Sequence, residues 1–585
     1  MKATIPLALL CASLCTQALA DNEFSVGTGP GCTHATIQSA LDAAANDGPV
    51  PSLIKITRTL SYTQQALRIN DREYVELRGG YARCTDTLPD AGYTRIDGSG
   101  GIPQTVIAVV GNYPSTVRLA GLEIVGGDAE DHEYGGAVYA RHGGLLVIAA
   151  SSIHDNRAGY GGGIAIEGRG TELALRDDVL VYSNSAMYEG GGAWCRDGSV
   201  YANARGTGFF NNNALNEGGG LRLSHCNAEL ASNGPFNAGI LYGNTSYNGA
   251  GLSATDSVIK VYSTQSNAPN RIAYNRATNN GGGFALRNAS SITLWDTLIE
   301  GNAASTGGAG WVYSSTASDP RIRLRSARNR DAETPITAVA CASGINCNRV
   351  TGNTSRATGS SPGDGAAFYY DWSSPTGCNF PFSCAWPTGF VADADIQDAQ
   401  IDRNSGRSLI YYRQHYNHYA ITQSLIFANT VSDALIKTGD DDKVWIAQTT
   451  ITGNSIASAV VRAPQLDLRC AIVNQAGVIH QGGGTLTAQF VLVPSTSQLP
   501  SNTSIFQGTP RFMSIANDNY RLFPGQFRFD PVPSPGIDIA SSCGVFQRGN
   551  DQDGLVRPAD IAAAPNQFGT LDLGPYEARI VLSTF

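Results

Sequence analysis

The segment Val181–Gly192 reads VYSNSAMYEGGG, and it returns at Phe209–Gly220 as FFNNNALNEGGG. An apolar residue, two variable residues and an asparagine are followed after a short interval by a glycine cluster. Further copies begin at Ile153 (IHDNRAGYGGG), Leu241 (LYGNTSYNGAG), Ile272 (IAYNRATNNGGG) and Ile299 (IEGNAASTGGAG), with a looser one at Val350 (VTGNTSRATG). Farther on the glycines fade and the asparagine persists, as IDRN at Ile401, IFAN at Ile426 and ITGN at Ile451. The ten asparagines are Asn156, Asn184, Asn212, Asn244, Asn275, Asn302, Asn353, Asn404, Asn429 and Asn454. Most gaps between them lie between 25 and 32 residues; the two gaps of 51 read as close to two turns each.

Such a period signals a solenoid, in which each repeat needs only its neighbours to bury its apolar face. The leucine-rich pattern is missing, and the glycine content together with the lack of 3.6-residue periodicity excludes helical repeats. A coil of short strands with alternating faces remains, with Ile396, Ala399 and Ile401 pointing inward and turns at Gly and Asn. The fold class expected is all-β: a single-stranded, right-handed parallel β-helix. Stacked asparagines have a structural explanation, a ladder of side-chain amides from coil to coil. None of the ten is therefore taken as a site residue.

Both ends should be closed, because an open solenoid end is a sheet edge over an apolar core. Residues 35–46, ATIQSALDAAAN, place Ile37, Leu41 and Ala44 on one helical face and read as the N-terminal cap. From about 495 the repeat gives way to Pro, Asp and aromatic residues, a closing segment. The divisions are 1–20 as an export signal, 21–130 as cap and first coils, 131–494 as the repeat body with an insert at 361–391, and 495–585 as the C-terminal cap.

Lys2, the apolar run IPLALLCASLC and Ala18-Leu19-Ala20 have the order of a secretory signal, with the mature chain expected from Asp21. No later run has the roughly 18 to 20 apolar residues that a membrane span needs. The expected product is secreted or at the cell surface, and monomeric. Removal of Cys11 and Cys15 leaves ten of the twelve cysteines, an even number that favours disulfides in an oxidising compartment. The short spacings are Cys341 with Cys347 and Cys378 with Cys384; looser pairings are Cys32 with Cys84, Cys195 with Cys226 and Cys470 with Cys543. A net charge of −9 disfavours a nonspecific nucleic-acid role.

The GGG-plus-FxxN repeats resemble those of polymorphic outer-membrane proteins and related secreted bacterial pectate-lyase-like β-helices. The tail phrases SPGIDIASSC, DQDGLVRP and LDLGPYE resemble the closing segment of many such proteins, with Leu573 and Pro575 in place of the usual isoleucine and alanine. CTHATIQSALDAA resembles their N-terminal cap. The resemblance covers nearly the whole mature chain and implies fold more than function, since this scaffold carries lyases, hydrolases, esterases, adhesins and tailspikes. No long series of alternating amphipathic strands follows 495, so a C-terminal translocator barrel is not expected.

A polysaccharide lyase needs a cation to neutralise a uronate and a base to take a proton; a glycoside hydrolase needs paired carboxylates. Residues 393–419 concentrate such groups. Arg403 or Arg413 would neutralise a carboxylate, and His415, Tyr416 or His418 would act as base. Asp398, Tyr411, Tyr412, Trp372 and Trp386 would line a sugar-binding groove, the aromatics stacking on sugar rings. Asp398, Gln423 and Gln448, 25 residues apart, are expected in one outward or turn-facing column. The competing reading is a solvated strand face beside a tyrosine-rich loop. A second cluster around Asp128, Glu130, Asp131, His132 and Glu133, with Arg141, His142 and His154 nearby, reads as an acidic surface loop, with a cation site as the alternative. Asp440-Asp441-Asp442 and NDQDG at 550–554 offer oxygen ligands for calcium without the full spacing of a known calcium loop. The sequence establishes no cofactor, and calcium is the candidate it offers. Two functions stand: an extracellular glycan-binding, adhesin-like or structural β-helix, and a secreted lyase or hydrolase acting on an acidic polysaccharide.

Overall fold

The computed structural model describes residues 22–576 and 578, apart from 48–49, 71–73, 112–113, 130–132, 142, 203–205, 232–238, 264–268, 315–320, 326–347, 357–362, 373–395, 414–417, 440–442, 497, 502–503, 525–531, 544–556 and 558–568. For Trp372 and His418 only the backbone is described.

One turn of the chain shows how every turn is built. Glu172–Arg176 is a strand whose Leu173 and Leu175 face inward. Asp177 and Asp178 then take positive φ and swing the chain into the strand Leu180–Tyr182. Ser183, at φ 52°, makes the next corner, Asn184 is buried beside it, and Ser185–Glu189 forms a third strand. The glycine cluster turns the chain into Ala193–Arg196. Gly190 has φ 71°, a conformation that favours glycine. A Cβ on Gly191 would lie 2.3 Å from the Asn213 carbonyl oxygen, so close stacking of coils demands glycine there as well.

Repetition of this turn gives long stacks of parallel strands, each strand pairing with the equivalent strand one coil before and one coil after. The chain is a parallel β-helix. Its interior is one continuous apolar column running from Val26 to Leu499, and Ile396, Ala399 and Ile401 all lie in it fully buried.

The asparagines form the expected ladder. Asn184 donates its Nδ2 to Asn212 Oδ1 at 3.1 Å and to the Ile153 carbonyl at 3.0 Å, while its own Oδ1 accepts from the Asn156 backbone N–H at 3.1 Å. The same pattern continues to Asn454, where Gln475 Oε1 receives the last backbone N–H. The ladder corrects one expectation. Asn302 donates directly to Asn353 at 3.0 Å, and Asn353 directly to Asn404 at 3.0 Å. Each gap of 51 is therefore one coil enlarged by an insertion, and not two coils. The expected insert 361–391 is corrected too. Phe368–Trp372 is a body strand paired with Gly310–Ser314 and Ile410–Tyr412, because Phe368 alternates inward within the run FYYDW.

The helix Ile37–Asn46 caps the first coils, with Thr36 Oγ1 accepting the Ser39 N–H at 3.1 Å. Its buried face is Ile37, Ala40, Leu41 and Ala44. The C-terminal segment does more than close an end. It lies along the outer face of the later coils, where Tyr520 and Tyr576 cover Leu425 and Phe427. Disulfide Cys470–Cys543 ties it to the stack, and Cys32–Cys84 and Cys195–Cys226 are also bonded, as the looser pairings anticipated. Cys341, Cys347, Cys378 and Cys384 lie outside the described residues. Among the described residues no helix is long and apolar enough to cross a membrane.

Candidate functional site

The residues singled out between 393 and 419 separate onto different faces. Arg403 occupies a left-handed corner with φ 55° and pairs with Asp402 and with Asp518, whose carboxylate lies 2.8 Å away. Arg349 completes the cluster, 2.5 Å from Asp402 and 3.3 Å from Asp518. These contacts clamp the C-terminal segment to the coils. Arg413 stands at the end of a different strand, with its nearest carboxylate, Asp371, at 3.3 Å. His415, Tyr416 and Trp386 lie outside the described residues. His418 begins the strand His418–Thr422, paired with Lys443, and the Trp372 backbone pairs with Ser314.

Two expected sugar-binding residues are interior. Tyr412 is fully buried, its ring 3.5 Å from that of Tyr419 and 4.7 Å from that of Tyr370. In a strand with period two its neighbours Tyr411 and Arg413 take the outer face, so Tyr412 must point into the core. Asp398 does occupy the turn column with Gln423 and Gln448, at φ 54°, 48° and 48°, yet all three are buried. A buried corner cannot meet a polymer in solvent. The Asp128 backbone pairs with that of Arg157 in an isolated parallel β-bridge, and His154 lies between Asp155 and Glu123, 2.8 and 3.1 Å away; Glu130, Asp131, His132 and His142 lie outside the described residues, as do Asp440-Asp441-Asp442 and 550–554. Among the described residues no cluster of three or more His, Cys, Asp or Glu is placed to hold a metal ion.

The outward side chains of the strands that follow the glycine clusters are brought together instead. Parallel register aligns Trp311, Tyr369, Tyr411, Lys437 and Arg462 in one axial row. Tyr313 and Asp371 form a second row beside it. Trp311 and Tyr313 stack with nearly parallel planes, centroids 5.5 Å apart and 3° between planes, and Tyr369 meets Tyr411 edge to face at 5.2 Å. Arg287 lies over the Trp311 ring at 5.7 Å, and Lys437 Nζ over the Tyr411 ring at 4.6 Å. Tyr313 and Tyr411 are half-buried; Trp311 and Tyr369 form the floor.

Electrostatics fix this surface. Asp433 is held by Arg462 at 2.7 Å, Lys437 at 3.6 Å and Arg407 at 3.9 Å. Arg407 also reaches Asp364, which accepts the Ser408 hydroxyl at 3.0 Å. Burial raises the Asp371 carboxyl above the ordinary aspartate range, with Arg413 opposing. Burial also raises the Tyr369 and Tyr411 phenols, so they remain neutral hydrogen-bonding rings at physiological pH. The arrangement offers rigid aromatic surface edged by ion-paired polar groups, the combination that sugar rings favour. Of the rings on this face, the sequence reading reached Tyr411 alone. The signal for the others was available: an aromatic one residue before or after a buried one in GWVYS and FYYDW, at matching distances beyond a glycine or alanine turn.

No protein-family model matches the chain, and no curated protein matches it in sequence. The fold and this face define its class: a disulfide-bonded parallel β-helix with an aromatic, ion-paired outer face.

Proposed function

We propose that this is an exported, extracellular or cell-surface β-helix protein that binds glycan in an adhesin-like or structural capacity. The observation that carries the reading is the Trp311–Tyr313–Tyr369–Tyr411 surface with its rim of paired ions. Export is supported by the signal-like first twenty residues and by three disulfides, bonds that persist in oxidising compartments. A binding role is favoured over a catalytic one because Asp364, Asp371 and Asp433, the carboxylates among the described residues of this face, each have a cationic partner. A hydrolase would need one of two carboxyls to receive and release protons opposite the other.

The test is a glycan array of neutral and uronic-acid polysaccharides probed with the chain from Asp21, alongside assays for new reducing or unsaturated ends with calcium supplied. Binding without turnover is expected, weakened about tenfold in Tyr313→Ala and Tyr411→Ala. Turnover of any polysaccharide that is lost in Arg413→Ala would establish a lyase or hydrolase and overturn the binding reading.

A further inference from the structure

The row that carries Trp311 continues toward the N-terminus through Ala285, Ser253 and Arg222 to Trp194, then Ala165 and Tyr139. At Trp194 the aromatic surface recurs. Tyr134 stacks on Tyr160 with centroids 5.3 Å apart, Tyr160 stacks on Tyr188 at 5.2 Å, and Trp194 lies 5.1 Å from Tyr134. Tyr139 stacks on Tyr134 at 5.7 Å. As at Trp311, the tryptophan is buried as a floor, an arginine lies over it (Arg196, at 5.4 Å), and tyrosines around it are half-buried. Burial and a hydrogen bond to Glu167 push the Tyr139 phenol up to about 12, so this ring too stays neutral.

Four coil steps of roughly 4.8 Å separate the two tryptophans, about 19 Å along the axis. The surface between them is a chain of alternating charges: Glu189 and Arg222 at 3.2 Å, Arg222 and Glu217 at 3.2 Å, Glu217 and Arg287 at 2.5 Å. Trp194 Nε1 donates to Glu189 at the near end, and Arg287 covers Trp311 at the far end. Each charge along this path is neutralised by its neighbour, and the chain as a whole carries −9. Among the described residues of this path a polyanion therefore meets only ion-paired guanidinium groups and is repelled at long range by the net charge, whereas hydroxyls can hydrogen-bond to the carboxylates and guanidinium groups.

We infer that the two aromatic platforms form one binding face for a single extended, linear, uncharged polysaccharide lying along the solenoid axis. The coil repeat is close to the length of one sugar residue in an extended chain, so a polymer running parallel to the axis advances in step with the rows. Joining two modest platforms by one ligand raises affinity through effective concentration once the ligand spans both. The inference rests on the glycan-binding reading and specifies the shape and charge of its ligand.

Calorimetric titration with cello-, xylo- and manno-oligosaccharides of graded length tests it. For the series that binds, affinity should rise steeply once the chain spans about 19 Å. Tyr160→Ala should lower the affinity of the long oligosaccharide about tenfold and flatten the rise of affinity with length, and Tyr160→Phe, which keeps the ring, should behave as the native chain. Tyr188→Ala serves if Tyr160→Ala fails to fold. A flat length dependence, or loss of binding in Tyr313→Ala with none in the Tyr160 and Tyr188 variants, overturns the two-platform face and leaves the glycan-binding reading standing. Binding of oligouronates in preference to the neutral series overturns the uncharged ligand. If none of the three neutral series binds, this inference falls, and the array alone decides the broader reading.

Discussion

Asn212 shows what one residue does in this architecture. Fully buried, it donates to the Val181 carbonyl at 2.9 Å and to Asn244 Oδ1 at 3.2 Å, and accepts the Asn184 backbone N–H at 3.0 Å. Asn212→Ala strands donors and acceptors on both neighbouring coils, and a buried polar group without a partner costs about 1–3 kcal/mol. Urea denaturation should therefore show a loss of about 3 kcal/mol, and a loss under about 1 would contradict the ladder's structural role. Asp371 gives a pH-dependent counterpart. Its carboxyl is raised by burial, so its contribution to stability is present in acid and fades as pH rises through the raised value. Asp371→Asn should match the native chain in acid and become the more stable of the two above the ordinary carboxylate range. A difference in urea midpoint that runs the other way with pH would mean that the Arg413 pairing outweighs burial.

Among the elements, the capping helix was legible because a short amphipathic pattern follows Thr36 with Ile37, Leu41 and Ala44 on one side. Leu41→Asp should lift the cap by placing a charge against the first coil, and light scattering should then report association through the uncovered sheet edge. A variant that remains monomeric would show that the first coil needs no cover. The strand faces were less legible. IYYR offers two adjacent tyrosines, and sequence gives no way to tell which faces out unless a neighbouring residue is already placed. Ile410 pairs with Phe368 and is buried, which sends Tyr411 outward and Tyr412 inward. One residue of phase reverses every assignment in the strand.

At the scale of the whole molecule, stability is close to a sum of coils and their interfaces. Deletion of Arg276–Asn302 joins Asn275 to Ala303 and removes one complete turn of 27 residues, keeping ladder and core in register. Circular dichroism should show the same β spectrum with a melting temperature within a few degrees of the native chain, whereas deletion of residues 276–288 should abolish the cooperative transition. Loss of folding in both would mean that the stack is not modular. The C-terminal segment acts at this scale as well. Arg403→Ala leaves Asp518 with Arg349 alone and should make residues 505–522 easier to cleave by limited proteolysis while leaving glycan binding unchanged; equal protection would remove Arg403 from the clamp.

Periodicity alone determined that this chain is a capped, parallel solenoid with amides at its corners, since each coil repeats the same local problem of turn, alternation and close approach. The cysteine count suggested three of the disulfide pairings, and the charged cluster at 393–419 offered two arginines that stand on different faces with different partners. Only the tertiary structure decided that each interval of 51 is one enlarged coil, that Tyr412 and Asp398 are interior, and that Arg403 holds the C-terminal segment. It also decided that Trp194, Trp311, Tyr369 and Tyr411 stand in one row. The reason is that register between coils is set by inter-strand hydrogen bonds and insertion lengths, quantities that no single coil's sequence contains.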